Sequence, residues 1–98
     1  MSSSRVRGKP YAILELRVHM SPTVFRYKKY RFFFFSHEEN RMHVHVESAD
    51  GEAKFWLEPM VSLAGYERLT KSDLYEIEKI IRIKKNEITK AWHRHLGR

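Results

Sequence analysis

The chain contains no cysteine, which excludes disulfide bonds and thiolate metal sites and removes any dependence on an oxidising compartment. Its longest apolar run is Phe32 to Phe35, far shorter than the roughly 20 residues that a membrane-spanning helix requires. The opening residues MSSSRVRGKPY lack the apolar stretch of a secretory signal. We therefore expect a cytoplasmic protein that has no membrane contact.

Glycine and proline are also scarce, with four and three copies in 98 residues, so no linker rich in these residues divides the chain. A chain of this length is large enough for one hydrophobic core and too small for two. We expect residues 1–9 to be a flexible basic extension, because they show no hydrophobic period. Residues 10–98 are then a single domain.

Positive charge is abundant, with a formal net charge of +7, and it is unevenly distributed. Lys and Arg outnumber Asp and Glu by eight to one in residues 1–31 and by eight to four in residues 70–98, whereas acidic residues dominate residues 32–69 by seven to three. Two basic ends around an acidic middle suit a nucleic-acid binder or a protein that holds an acidic partner. An ordinary soluble surface with a basic bias is the third interpretation.

The strongest local signal is the segment from His43 to Glu58, in which two alternating stretches meet at Asp50-Gly51. Asp-Gly between such stretches favours a β-hairpin with a two-residue type I′ turn. That turn predicts an apolar face with Val44 and Val46 and a polar face carrying the histidines. The expected cross-strand pairs on the polar face are Glu47 with Lys54, His45 with Trp56, and His43 with Glu58.

Weaker patterns predict the remaining strands. Alternation in Pro10 to His19 is typical of a strand. A two-residue turn at Lys28-Lys29 would join Val24–Tyr27 to the strand that contains four consecutive Phe, setting Phe25 opposite Phe32 and Val24 opposite Phe33. Lysine is a poor residue where φ is positive, so a longer or different turn stays open. Residues 59–69 contain Pro and Gly and show no clear period, so we predict a loop there, with a short strand or turn inside it left open.

The final segment changes to a helical pattern. Thr70 followed by Asp73 resembles a capping box, and apolar residues then recur at helical spacing. The apolar pattern is interrupted around Lys84–Asn86, so one long helix and two helices meeting near Asn86 both remain open. The chain is therefore predicted to be an α+β domain, with an antiparallel sheet of four to five strands built from hairpins and covered by C-terminal helix.

From Met20 onward the chain resembles the small prokaryotic family catalogued as domain of unknown function 4160. The resemblance covers residues 20–96 and rests on PTVFR, YRFFFF, HVHVE followed by DGEAKFWLEP, and the terminal AW. Arg41-Met42 departs from the usual Pro-Pro, and Lys29 from the usual Gly. Family members begin at the equivalent of Met20, and they are commonly encoded beside another small domain, as in toxin–antitoxin operons. The resemblance therefore implies a nearby-encoded protein partner, with the chain as either toxin or antitoxin.

The histidine pair is the best candidate for chemistry. His43 and His45 lie two apart on a strand and so share one face, with Glu58 expected across from them. Together the three residues form a catalytic set for a small nuclease or metal-dependent hydrolase. The alternative metal set is His43, His45 and Glu47, with His37 or Glu39 completing the shell. A purely structural strand face is the third interpretation, and no cofactor is expected.

Basic and aromatic residues provide the candidates for binding. Interleaved with aromatics, cations can form a base-stacking platform for RNA or DNA, although four consecutive Phe more often belong to a core. We hold two hypotheses, a toxin–antitoxin-like component that binds nucleic acid or a protein partner, and the enzyme described above. A homodimer is a further open alternative. The candidate binding residues are Arg26, Lys28, Lys29, Arg31, Arg41, Trp56, Lys84, Lys85 and Arg94.

Overall fold

A computed structural model describes residues 23–35 and 40–96, and these residues form one antiparallel sheet followed by two helices. Each strand from β2 to β5 pairs with the strand before it, so the sheet is a meander in the order β1 to β5. The predicted α+β class is confirmed. The expected extension at residues 1–9 and the expected strand at residues 10–19 lie outside the described residues. The elements are β1 Thr23–Tyr27, β2 Tyr30–Phe33, β3 His43–Glu47, β4 Glu52–Trp56, β5 Ser62–Glu67, α1 Lys71–Ile83 and α2 Lys85–Leu96.

The helices cover the apolar face that alternation creates on the central strands. Phe32, Val44, Val46 and Phe55 are almost completely buried against this side of the molecule. Burying one such side chain stabilises a fold by about 1.5–3 kcal/mol. Within the described part of the chain, the helical residues that complete the same core are Ile77, Ile81, Ile88, Ala91 and Trp92.

The first hairpin has the two-residue turn that we predicted at Lys28-Lys29. Tyr27 pairs with Tyr30, and the expected pair Phe25 with Phe32 is confirmed, with ring centroids 4.4 Å apart. The expected pair of Val24 with Phe33 is wrong. The register shifts between Thr23 and Phe25, so that Thr23 lies opposite Phe33. This bulge lets Val24 and Phe25, which are adjacent, both pack against the core.

The second hairpin does not have the predicted register. Glu47 lies opposite Glu52 instead of Lys54, so Ser48 to Gly51 form a four-residue loop. The Ser48 hydroxyl accepts hydrogen bonds from the backbone N–H groups of Asp50 (3.2 Å) and Gly51 (3.4 Å). Asp50 is not among the described residues with positive φ, so the type I′ prediction is wrong. The register differs by two residues, which leaves every side chain on its predicted face.

Gly51 is needed for a reason other than backbone flexibility. A Cβ atom on Gly51 would lie 2.1 Å from the Glu67 carbonyl oxygen and 2.6 Å from the Arg68 carbonyl oxygen. The loop therefore lies directly against the end of β5. The Arg68 guanidinium also donates a hydrogen bond to the Asp50 carbonyl at 3.3 Å. These contacts with a later strand explain why Asp50-Gly51 lies within a longer loop.

Residues 62–67 form a strand at one edge of the sheet that the structure describes, which is the short-strand alternative left open within residues 59–69. Most of β5 is exposed, and the hydrophobic pattern therefore carries little information about it. Its pairing with β4 contains a register shift between Lys54 and Phe55. Pairing of the backbone, rather than burial of alternate side chains, defines this strand.

The helical region divides into two helices, as one of the two predictions allowed. The capping box is confirmed, because the Thr70 hydroxyl accepts from the Asp73 N–H and the Asp73 carboxylate accepts from the Thr70 N–H. The break falls at Lys84, two residues before Asn86. In the described part of the chain, neither helix combines the length and apolar character that crossing a bilayer requires.

Candidate functional site

The candidate site lies on the face of the sheet opposite to the one that the helices cover. We call it the histidine face and define it by six residues of the three central strands. In the observed register Phe33 pairs with His45, and His45 pairs with Lys54. The strands thus place an aromatic ring, an imidazole and an ammonium group side by side. The six residues are Arg31, Phe33, His43, His45, Lys54 and Trp56.

His43 is fully buried, with 0% of its surface exposed. Its Nδ1 atom lies 2.6 Å from the Arg41 carbonyl oxygen, and because a carbonyl can only accept, Nδ1 is the donor. The imidazole packs edge-on against Trp56 at 5.6 Å and Trp92 at 5.2 Å between centroids. Trp92 belongs to α2, so the second helix reaches the first residue of β3. His43, which we assigned to the polar face of the hairpin, is therefore enclosed by aromatic rings.

His45 is half-buried, so it is more accessible than His43. Its imidazole lies nearly parallel to the Phe33 ring, with centroids 5.5 Å apart, and edge-on to Phe35 at 4.4 Å. Its cross-strand neighbour is Lys54, and not Trp56 as the predicted register required. The observed environment of His45 is mainly aromatic.

Cations lie over the aromatic rings of this face. The Arg41 guanidinium is 4.1 Å from the centre of the Trp56 ring, and the Lys54 ammonium is 4.5 Å from it. The Arg31 guanidinium lies 4.4 Å from the Phe33 ring centre. Each such contact contributes about 0.5–1 kcal/mol at an exposed site and more when it is desolvated. The result is a half-buried tryptophan whose ring contacts two positively charged groups.

Lys54, like Phe33, is a residue of the histidine face that our candidate set omitted. It precedes Trp56 by two positions in β4, so strand alternation alone places both side chains on the same face. We interpreted Lys54 only as the partner of Glu47. The structure instead pairs Glu47 with Arg31, whose guanidinium donates to the Glu47 carboxylate at 3.1 Å. Lys54 is thereby placed beside Trp56 and His45.

Glu58 is positioned differently from our expectation. The observed register places Trp56, and not Glu58, opposite His43. The Glu58 carboxylate accepts a hydrogen bond from the Met42 backbone N–H at 3.3 Å. The Glu58 backbone carbonyl accepts one from the Arg41 guanidinium at 3.0 Å. Glu58 thus helps to hold the segment that precedes β3. A catalytic role for His43, His45 and Glu58 stays a prediction.

The alternative metal set is not assembled. Within residues 23–35 and 40–96, no three His, Asp or Glu side chains converge as a metal ion would require. His43, His45 and Glu47 therefore do not form a metal site in this arrangement. His37 and Glu39, which we considered as further ligands, lie outside the described residues.

The candidate binding residues separate into three places. Arg31 and Trp56 lie at opposite ends of the histidine face, where Arg41 lies over the Trp56 ring and Arg26 pairs with Arg31. At the first turn, Lys28 contacts Glu76 of α1 at 2.7 Å and Lys29 contacts Asp50 at 3.0 Å. The last three, Lys84, Lys85 and Arg94, belong to the helices and the junction between them. Charge alone did not predict this separation, because it depends on the packing of distant elements.

Comparison with known proteins gives one family. Residues 30–93 match the model of a family described as a domain of unknown function, DUF4160. The matched region starts at β2 and includes the whole histidine face and most of α2. No curated protein and no solved structure shows a significant match to the chain.

Proposed function

The chain belongs to the DUF4160 family, and we propose that its histidine face binds single-stranded nucleic acid, as the basic member of a toxin–antitoxin-like pair. The observation that carries the proposal is the arrangement of Arg41 and Lys54 around Trp56, at 4.1 and 4.5 Å from the ring centre. The gene arrangement that the family implies supports the pairing with a second small protein.

The chemistry of this cluster suits an unpaired strand. Bases stack on aromatic rings and on arginine guanidinium planes, and lysine provides a positive charge for the phosphates. Trp56 and Lys54 are half-buried and Arg41 is exposed, so all three have surface that a ligand can reach. Phe33 is 3% exposed and is therefore a support for the cluster instead of a contact surface.

Binding is favoured over catalysis by the position of His43. A general acid or base must come within hydrogen-bonding reach of the substrate. The His43 ring is enclosed by Trp56 and Trp92, and its Nδ1 donates to the Arg41 carbonyl. In this role His43 supports the cluster, because it fixes both the Arg41 backbone and the edge of Trp56.

The test is fluorescence anisotropy with labelled single-stranded oligouridine and oligothymidine across a salt series. We expect affinity to fall with salt by about 0.7 log unit per log unit of salt for each phosphate neutralised. The double variant Arg41→Gln/Lys54→Gln should therefore reduce the slope by about 1.4, twice that value. Trp56→Ala should weaken binding by about 1–3 kcal/mol, the contribution of one stacked base.

Lys71→Gln/Lys79→Gln is the matched control, since Lys71 and Lys79 are exposed cations of α1 and the variant also removes two charges. Equal losses for the two double variants would show that net charge, and not the histidine face, causes binding. Binding to polyglutamate in place of the oligonucleotides would indicate an acidic protein partner instead. Cleavage of the oligonucleotide that disappears in His45→Ala would support the enzyme hypothesis against ours.

A further inference from the structure

Exposed apolar side chains gather at β5, which forms one edge of the described sheet. Leu63 is 39% exposed, Tyr66 is 56% exposed, and Met60, just before the strand, is 63% exposed. Within residues 23–35 and 40–96, no strand pairs with the outer edge of β5. Free strand edges pair readily with other strands, and proteins commonly protect them with lysine or proline. The sequence of β5 contains neither residue type, so this edge is open to pairing.

The sequence of β5 shows the same order of side-chain types in both directions. Ser62–Glu67 reads SLAGYE, which is polar, apolar, small, small, apolar and polar. When two copies of a chain meet across a two-fold axis, each contact occurs twice, so the surface must be complementary to itself. An antiparallel pairing of two β5 strands, centred between Ala64 and Gly65, meets this condition. It sets Leu63 of one copy opposite Tyr66 of the other.

The irregularity in β5 makes this register possible. In a regular strand, residues three positions apart point to opposite faces, so they cannot face each other across a two-fold axis. Leu63, however, pairs with the buried Phe55. Tyr66 pairs with Ala53, which is buried on the same helix-covered side. Ala64 is the extra residue that the register shift leaves between them. Leu63 and Tyr66 therefore share one face of the sheet.

The opposite face gives a polar pair in the same register. Ser62 lies opposite Trp56, and Glu67 lies opposite Glu52, so both are on the side of the histidine face. Two carboxylates directly opposite each other destabilise a sheet. The pairing brings the Ser62 hydroxyl of a second copy to Glu67, and a hydroxyl can donate a hydrogen bond to a carboxylate. Both cross-strand pairs of the two-fold register are therefore favourable.

Helix α1 extends the exposed apolar surface next to this edge. Arg82 donates a hydrogen bond to the Val61 carbonyl at 3.4 Å, which places this side of the helix beside the start of β5. Tyr75 precedes Arg82 by about two helical turns and so lies on the same side of α1. Tyr75 is 75% exposed. An aromatic side chain of the helix thus lies toward the same edge as Leu63 and Tyr66.

From these observations we propose that β5 pairs with β5 of a second copy of the chain and joins the two sheets into one. Antiparallel pairing at an edge does not exchange the faces of the sheet, so both histidine faces lie on the same side of the dimer. The inference does not rest on nucleic-acid binding, because no ligand takes part in the contact. A single edge strand buries little surface, so we expect a dissociation constant in the micromolar range.

The first experiment is sedimentation equilibrium of the full chain, without nucleic acid, over a wide range of protein concentration. We expect the apparent mass to rise from one chain to two chains as the concentration increases. Tyr66→Lys should weaken the dimer by about tenfold, because the Leu63–Tyr66 pair occurs twice in the interface. Ile83→Lys is the matched control, since Ile83 is a 68% exposed apolar residue of α1 outside the edge strand. It should leave the dissociation constant unchanged.

Cysteine cross-linking tests the register, because the chain has no cysteine of its own. A mixture of Ser62→Cys and Glu67→Cys should form an interchain disulfide on mild oxidation, since directly opposite residues have Cα atoms about 5 Å apart. Either variant alone should not, because identical positions of the two copies lie more than about 10 Å apart along the strands.

A chain that stays monomeric at every concentration overturns the proposal and leaves the edge of β5 to a strand of another protein. A dimer that Tyr66→Lys does not weaken, or that Ile83→Lys weakens equally, also overturns it. So does a cysteine mixture that forms no more disulfide than the separate variants. Because nucleic acid is absent from both experiments, their outcome is independent of the oligonucleotide titration at the histidine face.

Discussion

The β1–β2 hairpin and the β3–β4 hairpin show opposite relations between turn sequence and turn structure. Lys28-Lys29 is a poor turn dipeptide, yet it forms the tight two-residue turn between β1 and β2. Asp50-Gly51 is among the best turn dipeptides, yet it lies in a four-residue loop between β3 and β4. Both turns contact other elements, α1 at the first turn and the end of β5 at the second.

At the first turn, helix α1 provides those contacts. Lys28 has a φ of 54°, in the left-handed region where a side chain is strained. Glu76 lies 2.7 Å from the Lys28 ammonium and raises its pKa, through their hydrogen bond and their opposite charges. Beside them, the Tyr30 hydroxyl donates to the Asp73 carboxylate at 3.0 Å. The first turn is therefore fixed from outside the sheet.

At the second turn, the neighbouring backbone provides the contact. Gly51 is the position at which the loop touches the Glu67 and Arg68 carbonyl groups. Glycine is required here because it lacks a Cβ, while its ability to adopt positive φ is not used. Gly51 thus correctly indicated a hairpin, but the type I′ turn that we predicted from it is wrong.

The largest effect that we expect concerns the register of the second hairpin. In the observed register His43 lies opposite Trp56 and is enclosed, so His43→Ala should cost about 2–5 kcal/mol, as large-to-small core substitutions do. In the predicted register the cost would be only about 0.2–1 kcal/mol, the contribution of one cross-strand pair. Urea unfolding of the variant distinguishes the two. His45→Ala, at a half-buried position, should have the smaller effect of the two histidine variants.

Gly51→Ala should be the next most damaging change. The added methyl group meets backbone atoms that cannot rotate away, so we expect a loss of about 1–3 kcal/mol, typical of overpacking. Gly65→Ala is the matched control, since a Cβ there meets nothing within 4 Å. It should be neutral or stabilise the protein by about 0.4–1 kcal/mol, because alanine restricts the unfolded chain. Similar losses in both variants would contradict our explanation of the loop.

Tyr30→Phe tests the first turn with a smaller change. Tyr30 is 1% exposed, and removal of its hydroxyl leaves Asp73 with its contacts to Thr70, so we expect a loss of about 1 kcal/mol. Thermal unfolding measures this loss, and an unchanged melting temperature would show that the hydrogen bond does not fix the turn.

The same tyrosine also gives a pH signature. Burial, assisted by the hydrogen bond to Asp73, raises the pKa of Tyr30 from 10.0 to about 12. The neutral hydroxyl is thus favoured in the folded state, and this contribution is complete below pH 10.0 and is lost as the pH rises through about 12. Absorbance at alkaline pH should show a late-titrating tyrosine component that is missing in Tyr30→Phe. A titration with no such component would contradict the buried hydrogen bond.

Sequence patterns predicted the parts of this fold that depend on local spacing. The two hairpins, the assignment of Val44 and Val46 to the apolar face, and the capping box at Thr70 all follow from alternation or from residues a few positions apart. The burial of His43 was missed because Trp92 contributes to it from α2, almost 50 residues later.

The smallest expected effect concerns Asp73, where the helix cap and the first turn meet. The Thr70 backbone N–H is the main cause of a lowered Asp73 pKa, and the Tyr30 hydroxyl is the second. A carboxylate with a lowered folded-state pKa stabilises the protein above its ordinary value of 3.8, and that stability is lost as the pH falls through the lowered pKa. Asp73→Asn should therefore have a melting temperature that falls less than that of the wild type on acidification through this range. A carboxyl NMR titration should also show the Asp73 pKa rising in Tyr30→Phe, but only part of the way to 3.8, because the Thr70 N–H remains. A return to the full ordinary value would mean that the first turn, and not the helix cap, controls this carboxylate.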